Sequence, residues 1–404
     1  MAAGIAGLAR TPMRIAVITE TYPPEVNGVA NTLWRMVQGL RERDHAIQLV
    51  RLRQHADDLP AASARYDEVL LRGWPIPRYP HLRMGLPCTP TLIELWTQRR
   101  PQIVHIATEG PLGWSALRAA RHLGLPVVSD FRTNFHAYSR HYGLTWLRRP
   151  IAGYLRSFHN RTHATMVPTT ALRQELQAMG FQDLHVVSRG VDTARFHPAR
   201  RSEALRRVWG AEPGTLVVQC VSRLAAEKNL ELVGRAFTSI CEAGIDARLV
   251  FVGDGPLRAE LERQLPHAHF AGLRKGDDLA AHYASADLFL FPSRTETFGN
   301  VVPEAMASGL PVVAFDLAAA AQLIRSGENG LLALDGAPRH FVELATGIAS
   351  RPAALRAMAA HARVDALALD WRHVIDELES VMVRAAAHHA VVDDPLPLQP
   401  AINV

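Results

Sequence analysis

Two carboxylates lie eight positions apart in the second half of the chain, Glu296 and Glu304. Residues 286–291 before them form a short apolar run with turn residues at its flanks, which is the pattern of a buried parallel strand. Asn300 is a suitable N-cap, and Pro303 falls in the first turn of the helix that would follow, where a missing N–H costs little. The stretch therefore predicts a strand, a loop and a helix, with one carboxylate in the loop and the other one turn into the helix.

The predicted loop suits a ligand that carries phosphate. Gly299 lets the backbone approach such a ligand, and the first amides of a helix direct unpaired N–H groups and the positive end of the helix dipole at an anion. Glu296 and Glu304 would accept hydrogen bonds from hydroxyls on either side of the phosphate. A molecule with hydroxyls at both ends and phosphate between them is a nucleotide sugar. The alternative is that both glutamates are ordinary loop and helix-start carboxylates, and the spacing alone leaves both interpretations open.

The elements around this stretch alternate between strands and helices. The pattern predicts strands at residues 14–19, 45–50, 103–106, 126–129 and 165–167, helices at 31–41 and 113–123, and a second series of strands at 216–221, 247–252, 269–272, 288–291 and 312–315. Such alternation predicts right-handed crossovers and mainly parallel sheets. At 404 residues the chain is too long for one core and suits two domains. The predicted fold class is therefore α/β, with two Rossmann-like, doubly wound domains that face each other across a cleft.

Composition narrows the class of protein. Hydrophobic residues make up 48% of the chain, yet no run reaches the length of about 18 apolar residues that a membrane-spanning helix requires. Residues 1–12 lack the charged start and long apolar centre of a signal peptide and are predicted to be a disordered extension, and 391–404 a disordered tail. Cys88, Cys220 and Cys241 are an odd number without C-x-x-C spacing, so neither a disulfide framework nor a zinc site is indicated. A reducing cytoplasm is the simplest location.

Charge divides the chain unevenly. Residues 1–190 carry a net charge of +10 and residues 191–404 a net charge of −5. Residues 138–158 mix Tyr, Trp, Leu and Ile with four arginines, which is the composition of an interfacial membrane anchor. One interpretation is that the first domain docks on an anionic membrane surface; the other is that the aromatic side chains pack inward and the arginines form a solvated face. A nucleic-acid partner is disfavoured, because the basic residues belong to a domain whose sheet edge would face the cleft.

Glu296 and Glu304, followed by Ala-Met-Ala, resemble the E-x7-E motif of family 4 glycosyltransferases, which have the GT-B fold. Five other stretches resemble the family in the same order along the chain: residues 19–29 (TETYPPEVNGV), 188–193 (SRGVDT), 222–228 (SRLAAEK), 252–256 (VGDGP) and 309–313 (GLPVV). The resemblance implies three units in chain order: an acceptor domain at 13–195, a nucleotide-sugar domain at 196–370, and a terminal helix at 371–390 that packs back toward the first domain.

The same resemblance assigns residues to the donor site. Arg223 and Lys228, just past the strand at 216–221, match the Arg and Lys that hold the donor diphosphate in the family, so no metal or other cofactor is implied. The absence of a D-x-D motif also disfavours a metal-dependent GT-A enzyme. The rarity of lysine supports the assignment of Lys228, because the chain has 42 arginines and only two lysines, Lys228 and Lys275. Glu296 is assigned to the transferred hexose. The nucleotide sugar is assigned to Gly28, Gly255, Leu273, Phe298, Gly299, Asn300, Val301 and, at the ribose hydroxyls, Glu304.

The acceptor side departs from the family pattern. Residues 129–143 (SDFRTNFHAYSRHYG) resemble a family stretch that usually reads Tyr-His-Thr-Asn-Phe, but Arg132 stands where the histidine is expected and His136 follows four positions later. The family's histidine lies near the transferred sugar. Three interpretations stay open: Arg132 replaces the histidine as an electrostatic element, His136 supplies the ring from the next turn, or both residues only form the cleft wall.

The resemblance implies a retaining hexosyltransferase, in which the departing phosphate oxygen takes the acceptor's proton. Residues 22–28 (YPPEVNG) and 133–135 (TNF) are most similar to GDP-mannose-dependent α-mannosyltransferases and to sulfoquinovosyl or glucosyl diacylglycerol synthases. The prediction is transfer of mannose from GDP-mannose to a membrane glycolipid or lipid-linked sugar, by a cytoplasmic protein peripheral to the inner face of the cell membrane. The alternatives are UDP-sugar-dependent glucosyl or sulfoquinovosyl transfer to diacylglycerol, a non-catalytic nucleotide-sugar-binding protein, and a GT-B sugar epimerase.

Overall fold

The computed structural model describes residues 11–25, 28–55, 57–76, 79–132, 148–296 and 298–393. The strands of its first half are β1 (Arg14–Thr19), β2 (Ala46–Leu52), β3 (Ala62–Ser63), β4 (Tyr66–Leu71), β5 (Gly73–Ile76), β6 (Tyr79–Gly85), β7 (Ile103–Ile106), β8 (Val127–Asp130), β9 (Ala164–Val167) and β10 (Leu184–Val186). Eight of them form one sheet in the order β10-β9-β8-β7-β1-β2-β4-β3, while β5 and β6 pair with each other. In the large sheet only the β3–β4 pair is antiparallel.

Both faces of this sheet are covered by helices, namely α1 (Gly28–Arg41), α2 (Thr89–Gln98), α3 (Pro111–His122), α4 (Arg148–His159) and α5 (Thr170–Ala178). Successive residues of a strand point to opposite faces. Ile15 and Val17 therefore pack with the apolar stripe of α1, and Ala16 and Ile18 pack with α2 and α3. A strand buried on both faces must be a continuous apolar run, which is why β1 was recognisable from the sequence.

The second half repeats this architecture with a six-stranded parallel sheet. Its strands are β11 (Leu216–Val221), β12 (Ala247–Val252), β13 (His269–Gly272), β14 (Leu288–Phe291), β15 (Val312–Phe315) and β16 (Gly330–Ala333), in the order β13-β12-β11-β14-β15-β16. Its helices are α6 (Glu203–Val208), α7 (Leu230–Glu242), α8 (Arg258–Gln264), α9 (Gly276–Ala284), α10 (Val301–Ala307), α11 (Ala318–Leu323), α12 (Pro338–Ala349) and α13 (Pro352–Leu367). Apolar clusters fill both faces of the sheet.

Each sheet has one place where the strand order reverses. In the first sheet it lies between β1 and β7, and in the second between β11 and β14. In doubly wound sheets a crevice opens at the carboxyl ends of the strands beside such a switch point, and ligands bind there. Ligand-binding residues are therefore expected in the segments that directly follow these four strands.

A terminal helix, α14 (Trp371–Asp393), crosses to the first half of the chain and packs on α1. A β-carbon on Gly39 would lie 2.5 Å from Ile375 Cγ1, so the two helix backbones approach closely. Glu379 accepts a hydrogen bond from Arg43 at 2.8 Å. The helix extends to Asp393, three residues into the predicted tail, because no glycine or proline interrupts the sequence before Pro395. Residues 1–10 and 394–404 lie outside the described residues.

Candidate functional site

The carboxyl ends of both sheets border one cleft of about 750 Å3. The lining residues on the side of the first sheet are Glu20, Thr21, Glu25, Gly28, Val29, Arg83, Thr108 and Arg189. Those on the side of the second sheet are Val221, Ser222, Arg223, Lys228, Phe291, Glu296, Phe298, Gly299, Asn300 and Val301. The segments after β1, β7, β11 and β14 all contribute, as the switch points require. Eight predicted site residues meet here: Gly28, Arg223, Lys228, Glu296, Phe298, Gly299, Asn300 and Val301.

The loop after β14 is shaped by one glycine and one buried ring. Gly299 has a φ of +95°, a conformation that favours glycine, and Phe298 is buried beside it. Asn300 occupies the N-cap position of α10 as predicted, but its side chain makes no capping hydrogen bond. Asn300 Oδ1 is buried and has no partner among the described residues. A β-carbon on Gly28, the first residue of α1, would lie 3.7 Å from Asn300 Nδ2, so the starts of α1 and α10 face each other across the cleft.

Lys228 and Glu296 form an ion pair within the cleft. The Lys228 ammonium donates a short hydrogen bond to Glu296 Oε1, and the Ser293 hydroxyl donates to the same oxygen at 2.8 Å. The two charged side chains are only 17% and 18% exposed, so the attraction is screened less than at an open surface. The pair fixes the orientation of the carboxylate that the sequence assigned to the hexose. The sequence singled out both residues but not their contact.

Arg223 is the exposed cation beside this half-buried pair. Its side chain is 67% exposed, and its ion pair with Glu227 is long, at 3.8 Å. Such an exposed pair contributes little, so the guanidinium can turn to an anion in the cleft at small cost. Gly255 and Leu273 do not line the cleft. A β-carbon on Gly255 would lie 2.4 Å from the Leu224 carbonyl oxygen, so this glycine supports the backbone that carries Arg223, whereas Leu273 is 63% exposed after β13.

Glu304 lies in α10 and is half-buried, close to Val301 and Asn300 in sequence but not itself among the residues that line the cleft. The Tyr283 hydroxyl, from α9, donates a hydrogen bond to Glu304 Oε2 at 3.0 Å. Desolvation is the largest influence on this carboxyl and raises its pKa from 4.5 to about 7, although the hydrogen bond from Tyr283 acts in the opposite direction. Glu304 therefore titrates near neutral pH in the unliganded protein.

Arg132 forms an ion pair with the neighbouring carboxylate of Asp130. Its Nη2 atom donates to Asp130 Oδ2 at 2.5 Å, and His105 Nε2 lies 2.9 Å from the same oxygen. Burial acts to raise the pKa of Asp130, but the charges of Arg132 and His105 outweigh it and hold that pKa well below its ordinary value. The Arg132 side chain is 7% exposed and does not line the cleft. His136 lies outside the described residues.

The segments that form the two walls of the cleft match two family models. The model described as "Glycosyltransferase Family 4" matches residues 26–195, and the one described as "Glycosyl transferases group 1" matches residues 215–350. A GDP-mannose-dependent α-mannosyltransferase of Mycolicibacterium smegmatis is 36% identical over 377 residues, which is 91% of this chain and 96% of that protein. The chain belongs to the family 4 glycosyltransferases.

Other relatives agree with this family. The sulfoquinovosyl transferase SQD2 of Arabidopsis thaliana is 32% identical over 79% of the glycosyltransferase chain and 62% of its own length. The structure of a sucrose-phosphate synthase from Thermosynechococcus elongatus superposes with a TM-score of 0.75 at 17% identity, over 93% of this chain and 100% of that one. The glycosyltransferase WaaG gives a TM-score of 0.68 at 16% identity, over 91% and 99% of the two chains. The predicted GT-B fold is confirmed.

Several cleft residues of this family 4 glycosyltransferase were not predicted, and most lie on the side of the first sheet. Glu20 directly follows β1, and its Oε1 atom accepts a hydrogen bond from the Leu112 N–H at the start of α3, at 2.9 Å; burial raises the pKa of Glu20. Its place after a predicted strand could have identified it. Arg189 lies in residues 188–193, which resemble the family, whereas no sequence signal identifies Arg83 in β6.

Proposed function

We propose that this glycosyltransferase moves mannose from GDP-mannose to a hydroxyl of a lipid-linked acceptor, with retention of anomeric configuration. The observation that supports it best is the cleft itself, in which Arg223 and the Lys228–Glu296 pair stand opposite Gly28 and the acceptor-side residues. The relatives that agree over most of the chain are named GDP-mannose-dependent α-mannosyltransferases, at 34% to 36% identity. A protein of Mycobacterium tuberculosis, named as a phosphatidylinositol dimannoside mannosyltransferase, is 36% identical over 50% of the chain.

In the proposed reaction, the acceptor oxygen attacks the anomeric carbon from the side on which the diphosphate departs. The bond from that carbon to the diphosphate oxygen breaks, and this oxygen takes the acceptor's hydroxyl proton. Negative charge then accumulates on the diphosphate, so cations that are already in place give the largest stabilisation. Arg223 and Lys228 supply them. Glu296, which is held by Lys228 and Ser293, acts as an oriented hydrogen-bond acceptor for a hexose hydroxyl.

The test is an incubation of the purified protein with radiolabelled donors and a lipid extract. We expect labelled lipid from GDP-mannose, and little from UDP-glucose or UDP-sulfoquinovose. Because the cationic side chains are proposed to stabilise the diphosphate, the rate should be unchanged by excess EDTA. Labelled lipid from a UDP-sugar alone would favour the diacylglycerol glycosyltransferases, and hydrolysis or binding without a new glycoside would contradict transfer. Inhibition by EDTA that magnesium reverses would contradict the metal-free mechanism.

We also propose that the first domain docks on an anionic membrane surface. Among the described residues no helix is both long and apolar enough to cross a bilayer. Helix α4 is amphipathic: Leu155 and Phe158 are buried, whereas Tyr154 is 45% exposed and Arg149 is exposed. The exposed face combines aromatic and basic side chains, which suits attachment to anionic headgroups. Residues 138–147 of the predicted anchor lie outside the described residues.

Flotation with vesicles tests the docking. The protein should float with anionic but not with neutral vesicles, and high salt should release it, because the attraction is screened within about 10 Å at 0.1 M salt. The Arg148→Glu, Arg149→Glu variant should stay in the soluble fraction. The matched control is Arg65→Glu, Arg99→Glu, which makes the same charge change near β4, at the other edge of the sheet. Equal losses in both variants, or no flotation of the wild-type protein, would rule out this docking face.

A further inference from the structure

Arg189 differs from the other buried arginines of the described residues. Arg51 pairs with Asp58 at 2.7 Å, and Arg206 pairs with Asp287 at 2.9 Å and also donates to the Thr215 carbonyl oxygen at 2.8 Å. Arg189 is 7% exposed, compared with 5% for Arg51 and 4% for Arg206. Within the part of the chain that the structure describes, Arg189 makes no hydrogen bond or ion pair, and its guanidinium carbon lies 5.7 Å from the centre of the Phe298 ring.

The carboxylates whose charge reaches Arg189 are both occupied by other cations. They are Asp130, which is bound by Arg132, and Glu296, which is bound by Lys228. A buried cation without a partner is unfavourable, because desolvation is not offset by a hydrogen-bonded anion. Burial and the neighbouring charge of Arg132 lower the pKa of Arg189 to about 9, which reflects the same imbalance. An anion that enters the cleft would pair with Arg189 and offset this desolvation.

Arg189 reaches the cleft from the opposite sheet to Arg223 and Lys228. It follows β10 on the acceptor side of the cleft, whereas Arg223 and Lys228 follow β11 on the other side. Its loop is held in place, since a β-carbon on Gly190 would lie 2.7 Å from the Trp371 ring. A guanidinium presents a planar fork of donors that matches a carboxylate, phosphate or sulfonate. A fixed, buried fork of this kind is suited to one anionic group of a ligand.

We infer that Arg189 binds an anionic group on the acceptor, so that the enzyme prefers a lipid with a negatively charged headgroup to a neutral glycolipid. This inference rests on the proposed function, because the phosphates are the only anions of GDP-mannose and they belong with Arg223 and Lys228. The remaining anion must then arrive with the acceptor. If the transferred sugar itself were anionic, as a sulfonated hexose is, the same chemistry would come from the donor.

The experiment compares phosphatidylinositol with neutral glucosyldiacylglycerol as acceptors, using GDP-mannose. Arg189→Gln should lower kcat/KM for phosphatidylinositol by about 10- to 100-fold, as expected for one charged hydrogen-bonding group. Transfer to the neutral lipid and the KM for GDP-mannose should change little, and Arg189→Lys should recover part of the loss. Equal losses with both acceptors, or a raised KM for GDP-mannose, would overturn the inference. A loss confined to UDP-sulfoquinovose as donor would assign the anion to the sugar instead.

Two further measurements separate this inference from the proposed function and from a structural role. Calorimetry with inositol 1-phosphate and with inositol, in the presence of GDP, should show phosphate-dependent binding that Arg189→Gln abolishes. If this binding is seen while no lipid is mannosylated, the proposed transfer fails but the anion site stands.

Arg189→Gln should keep or raise the Tm, because it removes an unpaired buried charge. Arg206→Gln, the matched variant of a fully partnered buried arginine, should lower it. A lower Tm for Arg189→Gln would indicate a structural role.

Discussion

Replacing Lys228 by alanine should lower kcat by a factor of hundreds, or about 3 kcal/mol of transition-state stabilisation, while the protein stays folded. The charge that Lys228 supplies is needed most when negative charge develops on the departing diphosphate. The variant also leaves Glu296 without its cation in a site where that carboxylate is only 18% exposed. Both effects act on the transfer step more than on the binding of the unreacted donor, so kcat should fall more than KM rises.

A double-mutant cycle shows whether Lys228 and Glu296 act as one unit. Steady-state kinetics are measured for Lys228→Ala, for Glu296→Gln and for the double variant. Because the two side chains share a short hydrogen bond, the losses should be far from additive, with the double variant close to the worse single one. Lys275→Ala is the control, since this other lysine is exposed and lies outside the cleft lining. A near-normal rate for purified Lys228→Ala would contradict the proposed clamp.

The architecture could be read from the sequence wherever strands are buried on both faces. Such strands are unbroken apolar runs, and β11 and β14 begin and end where predicted. Strand β4 was not predicted, because Asp67 and Glu68 interrupt its apolar pattern. The β5–β6 hairpin was not predicted either, since prolines at positions 75 and 80 argue against strands. These elements depend on partners elsewhere in the chain rather than on local pattern.

The site could be predicted only as far as each residue lies in a recognisable segment. The loop around Gly299 and the cations after β11 were found because one motif carries each of them. The pairing of Lys228 with Glu296 joins segments 68 positions apart, which local patterns do not reveal. The role of Arg132 could not be decided from the sequence, because it depends on the contact of Arg132 with Asp130. The role of a charged side chain depends on its ion-pair partners and its burial, and both are properties of the folded chain.

Nucleoside diphosphate binding should depend on pH through Glu304. Its raised pKa of about 7 means that the carboxyl is mostly protonated at pH 6 and mostly ionised at pH 8. If it accepts hydrogen bonds from the ribose hydroxyls, the ionised form binds them more strongly. Wild-type protein should therefore bind GDP about tenfold more tightly than Glu304→Gln at pH 8, the difference for one charge-assisted hydrogen bond, and nearly equally at pH 6.

Calorimetry at both pH values measures this ratio, and the comparison of two proteins removes the ligand's own titration, which lies near pH 6 for a terminal phosphate. Glu296→Gln provides the contrast. It should bind GDP as tightly as the wild-type protein or more tightly, since it frees Lys228, and yet it should transfer sugar poorly. Equal losses of GDP affinity in both variants would show that the two glutamates have been assigned the wrong roles.

The stability of the unliganded protein gives an independent check on Glu304. A carboxyl whose pKa is higher in the folded than in the unfolded state binds protons preferentially in the folded state, so its contribution falls as the pH rises from 4.5 to about 7. The ionised carboxyl then costs about 3 kcal/mol above pH 7, which Glu304→Gln avoids. The variant should thus be more stable than the wild-type protein at pH 8, and the difference should vanish near pH 4.5. Denaturant unfolding at the two pH values measures it, and a constant difference would mean that Glu304 has an ordinary pKa and cannot make GDP binding depend on pH near 7.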